Sequence, residues 1–252
     1  MGALDWLFAR PIAHRGLHDR AAGVIENTPT AVSRAIDAGY GVEIDVRETA
    51  DGGAVIFHDK TLDRLTEETG PVIGRTVDEL RRIPILGSPD RILTLDECLD
   101  LVSDRAPLVI EIKSPSGRDV DHARRVAETI AARGDRVALK SFNPHAIQIV
   151  RLYAPEVARG VIGEAFADDD PTWKHLGSRR RARARTLSHL RRTKPDFLSW
   201  DIEDIDRAEV AAFRASGKPV MSWTVKSPSD RERALRSADQ IVFEGFLPDQ
   251  NR

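Results

Sequence analysis

The sequence predicts an α/β protein with the (β/α)8 TIM-barrel fold, in which eight parallel strands alternate with helices. Short apolar runs typical of strands alternate with helical patterns along most of the chain. Eight such runs can be counted, and each except the last is followed by a helical pattern. The length of 252 residues also fits one barrel of this kind. A doubly wound open sheet is the alternative, but no glycine-rich dinucleotide loop follows any of the runs.

The runs assigned to barrel strands share a short length, apolar or β-branched residues and flanking turn signals. The first two end at His14 and Val46, and the others span residues 108–113, 136–142, 158–163, 197–201, 220–225 and 240–243. Helical patterns fill the intervals at about 119–133, 144–153, 171–192, 206–216 and 228–237. Too few residues follow the last run for a full helix, so we expect segment 4–10 to cover that gap.

The helices of the first half have recognisable ends. Thr28 is a good N-cap with Pro29 at the first helical position, and Gly39 ends this helix. A second helix is expected to begin at the capping pattern that starts with Thr94. Between these two helices, residues 60–93 show no clear strand.

The composition, with 41% hydrophobic and 31% charged residues, is that of an ordinary globular protein. The net charge of -2 predicts no general attraction to nucleic acid or anionic lipid. Neither an apolar run of roughly 20 residues nor a signal-peptide pattern is present, so we expect a cytoplasmic protein without stable membrane insertion. Cys98 is the single cysteine, which excludes an internal disulfide. The basic run 179–185 is expected to be a solvated outer face, with an acidic partner or membrane surface as the alternative.

Segment 41–59 carries the densest group of candidate site residues. Its strand places Glu43 and Asp45 on one face, about 6.5 Å apart, where two carboxylates repel each other unless a positive charge lies between them. An Asp-Gly-Gly turn then returns the chain toward His58. A two-residue loop pairs His58 with Asp45 or Arg47 on the carboxylate face, whereas a three-residue loop would turn it away. The hairpin therefore predicts a metal-assisted acid–base site, with a solvated polar hairpin as the alternative.

Further charged residues follow other predicted strands at their carboxyl ends, where barrels of this kind place their active sites. His14 and Arg15 end the first strand, and Glu111 and Lys113 share one face of the third. Three carboxylates on two neighbouring strands suit Mg²⁺ or Ca²⁺, because hard cations prefer oxygen ligands. Arg15 and Lys113 supply positive charge for an anionic group, and the two histidines supply an acid and a base. Together these groups predict a phosphate ester as substrate, although Glu111 and Lys113 could also be an internal ion pair.

On these residues the chain closely resembles the glycerophosphodiester phosphodiesterase family, whose members share the barrel of the phosphatidylinositol-specific phospholipases C. The matching motifs are His14-Arg15-Gly16, Glu26-Asn27-Thr28, Glu43-Ile44-Asp45, Asp51-Gly52, His58-Asp59, Leu62 with Arg64 and Thr66, Glu111-Ile112-Lys113, Ser141-Phe142 and Trp223-Thr224-Val225. The resemblance extends over most of the chain. It implies that residues 59–93 are a short insertion after the second strand, and we predict no domain boundary within residues 1–252.

The resemblance implies a role for each residue of the site. The metal ligands are Glu43, Asp45 and Glu111, and the general acid and base are His14 and His58. The residues that contact the small-molecule substrate are Arg15, Lys113 and, as pocket lining, Trp223. The implied cofactor is a divalent cation, Mg²⁺ or Ca²⁺, and the implied reaction hydrolyses a glycerophosphodiester to an alcohol and sn-glycerol 3-phosphate. Attack by water and attack by the neighbouring glycerol hydroxyl, through a cyclic phosphate, both stay open.

Two other functions remain as alternatives. Phospholipase D-like cleavage of lysophospholipids would need an apolar docking surface, for which only residues 6–8 are evident. A catalytically silent phosphate-binding barrel would not need two histidines beside the acidic cluster. Headgroup preference and oligomeric state are not predicted.

The last strand departs from the usual pattern of the family. Phe243 and Glu244 replace a Thr-Asp pair, and Lys226 stands where Asn is common. We expect these departures to affect the leaving-group pocket and not the metal or the proton transfer. Five histidines outside the motifs are expected at the surface: His18, His122, His145, His175 and His189.

Overall fold

The computed structural model describes residues 4–114, 120–133 and 136–249, and within them the chain forms ten strands and ten helices. The strands are β1 Ile12–Ala13, β2 Gly41–Glu48, β3 Ala54–Ile56, β4 Leu93–Thr94, β5 Leu108–Ile112, β6 Val137–Ser141, β7 Ala158–Gly163, β8 Phe197–Asp201, β9 Val220–Val225 and β10 Gln240–Phe243. The helices are α1 Asp5–Phe8, α2 Pro29–Asp37, α3 Val77–Leu80, α4 Leu95–Val102, α5 Asp121–Arg133, α6 Pro144–Tyr153, α7 Ser178–Arg185, α8 Leu190–Thr193, α9 Ala208–Ala215 and α10 Pro228–Ser237. None of these helices is both long enough and apolar enough to span a membrane.

Eight of the strands form a closed parallel barrel. Around it the order is β1, β2, β5, β6, β7, β8, β9 and β10, and β1 pairs with both β2 and β10 to complete the ring. Because neighbouring parallel strands need a crossover connection, helices lie on the outside between them. The predicted (β/α)8 barrel is therefore confirmed, and the eight strand runs expected from the sequence are the eight barrel strands.

The predicted helix starts are present in the described structure. The Thr28 hydroxyl accepts the Ala31 N–H at 3.3 Å at the start of α2. Thr94 and Glu97 form the reciprocal capping box of α4, in which each side chain satisfies a backbone N–H of the other residue. Helices α2, α4, α5 and α6 pack their apolar faces against the outer side of the barrel strands.

The interior of the barrel has two layers of different chemistry. Near the amino ends of the strands it is filled by apolar side chains, which are Ile12, Val109, Ala138, Phe197, Met221 and Val242. Toward the carboxyl ends, the inward-facing positions of β2, β5 and β6 carry charged side chains instead. The apolar layer closes one end of the barrel, so the charged layer is reached from the other end.

The hairpin of β2 and β3 has a different register from the one predicted. Val46 lies opposite Ile56, and the Thr49 N–H donates to the Gly53 carbonyl at 3.2 Å, which leaves a three-residue turn. The predicted pairing of His58 with Asp45 or Arg47 is therefore wrong. Strand β3 ends at Ile56, two residues before His58, so the strand alternation does not determine where the imidazole lies.

Segment 57–92 extends the sheet edge and forms a small separate core. It contains one 3-10 turn and α3, and the short strand β4 that follows pairs antiparallel with β3. Its buried apolar side chains pack against Ile25 and Val55. The segment therefore stands beside the barrel mouth next to β2.

The helix predicted over residues 171–192 is broken. A 3-10 turn at Pro171–Trp173 is followed by α7 and α8, and Leu187 between them has a φ of 51° in the left-handed region. The run 179–185, which contains five arginines, is itself helical within α7, and the breaks lie on either side of it. No residue of α7 is buried, which agrees with the expectation of a solvated outer face.

The expectation that segment 4–10 covers the gap after the last strand is also wrong. The Phe8 ring packs edge-on against Phe197 at the amino end of β8, and the Phe8 carbonyl accepts the Gln240 side-chain N–H at 3.0 Å. Helix α1 therefore closes the amino-terminal end of the barrel. The gap is covered by segment 244–249 instead, which is held by the Tyr40 hydroxyl donating to the Pro248 carbonyl at 2.7 Å.

Candidate active site

The three predicted metal ligands lie together at the carboxyl end of two neighbouring strands. Asp45 on β2 lies directly opposite Glu111 on β5, and Glu43 is two residues before Asp45 on the same face. Each residue offers a carboxylate oxygen, and these oxygens all lie within 4.8 Å of one another. We call these three residues the carboxylate triad. All three are buried, so their charges need partners.

Three cationic side chains neutralise the carboxylate triad. The Lys113 Nζ lies 2.9 Å from Asp45 Oδ1 and 2.6 Å from Glu111 Oε1. The Lys140 Nζ lies 3.0 Å from Glu43 Oε1, and the Arg15 Nε lies 3.3 Å from Asp45 Oδ2. Lys140 on β6 is only 2% exposed and was missed by the sequence analysis. Its position two residues before Phe142 was the one available signal in the sequence.

The pKa values of these groups follow from the pairing. Burial alone would raise the pKa of Asp45, but Lys113 and Arg15 outweigh it and hold the pKa well below its ordinary value. Burial likewise opposes the charge of Lys113, and Asp45 and Glu111 together raise its pKa. Burial would also raise the pKa of Glu43, but it is lowered, chiefly by Lys140. Glu43, Asp45 and Lys113 therefore stay charged at neutral pH.

The carboxylate triad fits a hard divalent cation. Its donors are carboxylate oxygens, the ligands that Mg²⁺ and Ca²⁺ prefer. Glu43 Oε1 and Asp45 Oδ1 are fully buried, and each lies about 3 Å from a lysine ammonium without a hydrogen bond of normal geometry among the described residues. The lone pairs that the lysines leave unused could bind a metal cation. These residues could therefore hold a metal ion.

The loops after β1 and before α2 hold the carboxylates in place. The Asn27 side-chain N–H donates to Asp45 Oδ2 at 2.9 Å, and its oxygen accepts the Asp45 backbone N–H at 3.2 Å. The Arg15 backbone N–H donates to Glu43 Oε2 at 3.2 Å. Arg15 and Asn27 both have a positive φ, a backbone conformation that is uncommon for residues other than glycine. Asn27 belonged to a matching motif, but the sequence analysis gave it no role.

His14 lies between two carboxylates. Its Nδ1 is 2.7 Å from Glu244 Oε2, and its Nε2 is 4.0 Å from Glu43 Oε2. The His14 hydrogen bond is the largest influence on Glu244, whose pKa is held below its ordinary value. Lys226 adds a further contact to Glu244, with its Nζ 3.0 Å from Oε1. The sequence assigned Glu244 and Lys226 to the leaving-group pocket, but Glu244 also contacts the ring of His14, one of the predicted proton-transfer residues.

His58 reaches the same site from the other side of β2. Its Nδ1 lies 2.8 Å from Asp59 Oδ1, and Arg47 donates to its carbonyl at 2.8 Å. Burial lowers the pKa of His58 although the nearby Asp45 charge opposes this shift. The structure thus brings His58 near Asp45 through the bend after β3 and not through the predicted strand register.

An ion-pair network connects the two histidine-bearing loops. Arg64 lies 2.5 Å from Asp59 Oδ2 and 2.7 Å from Glu26 Oε1, and Glu26 in turn lies 2.7 Å from Arg15 Nη1. Burial would raise the pKa of both carboxylates, but hydrogen bonds from Arg64 outweigh it and lower each pKa to about 2. These ion pairs hold the side chains of Arg15 and Asp59 in position relative to each other.

Trp223 lies in the half of the barrel mouth opposite the carboxylate triad. Its Nε1–H donates to the Ser199 carbonyl at 3.1 Å, and its ring meets Phe142 edge-on at 5.6 Å. None of the contacts recorded for Trp223 in the described chain reaches a carboxylate of the triad. A cavity of about 1040 Å³ at the amino-terminal end of the barrel, lined by Trp6 and Lys218 among others, contains none of the predicted site residues.

Comparison with known proteins identifies the family. The sequence profile of the glycerophosphoryl diester phosphodiesterase family matches residues 14–243. The chain belongs to this family. The match begins at His14 and ends at the last residue of β10, so it spans all the elements that carry the carboxylate triad and the two histidines. The expectation of an enzyme of this family is confirmed.

Individual relatives agree with the family match. A glycerophosphodiester phosphodiesterase from Caldanaerobacter subterraneus subsp. tengcongensis is 30% identical over 244 residues, which cover 92% of this chain and 93% of the relative. A solved glycerophosphodiester phosphodiesterase from Thermotoga maritima is 26% identical with a TM-score of 0.69, over 92% of both chains. The structure of an Oleispira antarctica phosphodiesterase with the product sn-glycerol-3-phosphate has a TM-score of 0.75 at 24% identity, over 92% of this chain and 91% of that chain, and supports the fold.

Proposed function

We propose that this phosphodiesterase hydrolyses small glycerophosphodiesters to an alcohol and sn-glycerol 3-phosphate with the help of a divalent cation, Mg²⁺ or Ca²⁺. One observation carries the proposal. Two histidines flank the carboxylate triad, and each has its Nδ1 within 2.8 Å of a carboxylate, Glu244 for His14 and Asp59 for His58. A carboxylate at Nδ1 fixes the tautomer and leaves Nε2 available for proton transfer.

Different residues of the site would bind the cation and the phosphate. Glu43, Asp45 and Glu111 would hold the cation, which supplies Lewis-acid stabilisation of the negative charge that develops at phosphorus. Arg15 and Lys113, which are already held in the site by ion pairs, would contact the phosphate oxygens.

Proton transfer falls to the two histidines. One would take the proton of the attacking hydroxyl, and the other would give a proton to the oxygen of the departing alcohol. One proton is taken and one is given whether the attacking hydroxyl belongs to water or to the substrate glycerol. The second route passes through a cyclic phosphate that water then opens. Both routes stay part of the proposal.

Product analysis tests this function. The protein is incubated with glycerophosphocholine and, separately, with a lysophosphatidylcholine, in the presence of Mg²⁺ or Ca²⁺. We expect glycerol 3-phosphate and choline from the first substrate. Choline released only from the lysophospholipid would replace the proposal by the phospholipase D-like alternative, and no release from either would favour a silent phosphate-binding barrel.

Three further expectations from the sequence are retained as proposals. The chain is a single domain over residues 1–252 whose insertion spans residues 59–93. Its location is cytoplasmic, and its partner is a small molecule and not a nucleic acid.

A further inference from the structure

A cluster of aromatic rings lines the half of the barrel mouth opposite the carboxylate triad. Its members are Phe142 after β6, Phe166 and Trp173 after β7, and Trp223 on β9. Trp173 lies 5.1 Å from Phe142 and 4.9 Å from Phe166 between ring centroids, and Phe142 lies 5.6 Å from Trp223. We call these four residues the aromatic wall. Phe166 is buried, whereas the other three are partly exposed and present ring surface at the mouth.

A carboxylate stands at the edge of the aromatic wall. Glu164 is the first residue after β7, and its Oε1 accepts the indole N–H of Trp173. Within residues 4–114, 120–133 and 136–249, Glu164 has no ion-pair partner, which distinguishes it from the carboxylates of the triad. Burial raises the pKa of Glu164 to about 7, and the nearby Asp201, Asp170 and Asp204 add to the shift. A cation beside Glu164 would relieve this repulsion.

The aromatic wall is continuous with the proposed catalytic centre. Phe142 follows β6 by one residue, and Lys140 on the same strand contacts Glu43 of the carboxylate triad. Trp223 on β9 lies in register with Asp201, which ends β8. A substrate whose phosphate lies at the triad would therefore have its leaving group directed toward the wall or toward solvent.

We propose that Glu164 and the aromatic wall form a subsite for the alkylammonium headgroup of the substrate. The inference rests on the proposed function and names the substrate class that this site prefers. Aromatic faces attract organic cations, and quaternary ammonium groups are recognised by such surfaces. The carboxylate of Glu164 adds direct charge attraction and can accept a hydrogen bond from a primary ammonium. A neutral headgroup would gain neither interaction.

The test compares substrates that differ only in the headgroup. We expect kcat/KM for glycerophosphocholine and for glycerophosphoethanolamine to exceed that for glycerophosphoglycerol by about tenfold. Glu164→Gln keeps an oxygen for the Trp173 N–H and removes only the charge, so it should bring this ratio close to one. Trp173→Leu should lower the ratio for choline more than for ethanolamine. Thermal unfolding confirms that both variants are folded.

Asp169→Asn is the matched control. Asp169 is an exposed carboxylate on the same loop, so its loss changes the net charge equally without touching the wall. The control should keep the ratio of the wild type. An equal kcat/KM for all three substrates, or an unchanged ratio in a folded Glu164→Gln variant, would overturn the inference and leave the proposed function intact. Hydrolysis of none of the three would overturn both.

Discussion

The two halves of the barrel mouth shift the pKa values of their acid groups in opposite directions. On β2 and β5 the carboxylates are buried, and each has a lysine within about 3 Å, at 3.0 Å for Glu43, 2.9 Å for Asp45 and 2.6 Å for Glu111. On the other side, Glu164 follows β7 and Asp201 is the last residue of β8, and both are less buried. Yet the pKa is lowered for Glu43 and Asp45, and burial raises it for Glu164 and Asp201.

The comparison shows that pairing, and not the degree of burial, determines the charge of an acid at this mouth. Desolvation raises the pKa of every buried carboxyl group, but an adjacent ammonium or guanidinium outweighs it. One half is therefore a fixed set of charges suited to a metal ion and a phosphate. The other half is apolar with an excess of acid, which suits a cation.

Removal of either histidine should have the largest effect on activity. His14→Ala or His58→Ala should lower kcat on glycerophosphocholine by about 10²–10⁴-fold, because the proton transfer loses its acid or base. The measurement is steady-state kinetics together with circular dichroism of the variants. His189→Ala is the control, since His189 is the N-cap residue of α8 and belongs to none of the site motifs. Wild-type rates in both site variants would remove the histidines from the mechanism.

Loss of the lysine that pairs with Glu43 should destabilise the fold. Lys140→Met leaves a fully buried carboxylate without its partner, which costs about 3–5 kcal/mol when a buried pair is broken. Urea unfolding in EDTA measures this change, with exposed Lys60→Met as the control. Addition of Ca²⁺ should restore part of the stability, because a cation can replace the ammonium at Glu43 Oε1. A variant as stable as the wild type in EDTA would contradict the pairing argument.

Glu244 should act through His14. In Glu244→Gln the amide can still reach Nδ1, but it no longer stabilises a positive imidazole, so we expect kcat to fall by about 10–100-fold with little change in KM. Glu244→Asp should recover part of the rate. A loss of affinity with unchanged kcat would instead place Glu244 in the leaving-group pocket, as the sequence analysis expected.

The opposite pKa shifts of two glutamates should give opposite effects on stability. The pKa of Glu26 is about 2, so its contribution is present above about pH 4.5 and is lost as the pH falls toward 2. The pKa of Glu164 is about 7, so its charged form disfavours the fold as the pH rises from about 4.5 through 7. Glu26→Gln should therefore lower the free energy of unfolding at pH 7 by about 1–2 kcal/mol, whereas Glu164→Gln should raise it by a smaller amount.

Unfolding curves between pH 3 and pH 8 measure the change in the free energy of unfolding for Glu26→Gln and for Glu164→Gln. A change of the same sign for the two variants at pH 7 would contradict the contrast between the halves.

The fold was predictable because its signals are local. Most barrel strands are short apolar runs, as strands buried on both faces require, and Thr28 and Thr94 mark the starts of the helices that follow them. The register of the β2–β3 hairpin was not predictable, because one additional residue in the turn moves every side chain of the returning strand to the opposite face of the sheet. His58 reaches the site nevertheless, because β3 ends at Ile56 and frees it from the alternation.

The site was predictable as far as its motifs extend. The three carboxylates were found because Glu43 and Asp45 alternate on one strand and Glu111 shares a face with Lys113. Lys140 and the contact of Glu244 with His14 were missed, because their partners lie 97 and 230 positions away in the chain and only barrel closure brings them together. His122 was expected at the surface but is 3% exposed, since it lies on the face of α5 that packs on the barrel.

The proposed function requires that the carboxylate triad holds a cation during hydrolysis. Its most direct test is calorimetric titration of Mg²⁺ and Ca²⁺ into EDTA-treated protein, with glycerol 3-phosphate release measured on the same samples. We predict binding of one ion and recovery of hydrolysis with the same midpoint, and at least about tenfold weaker binding in Glu111→Gln, where Lys113 keeps Asp45 as partner. Full hydrolysis in the metal-free protein, or equal affinity in Glu111→Gln, would contradict the claim.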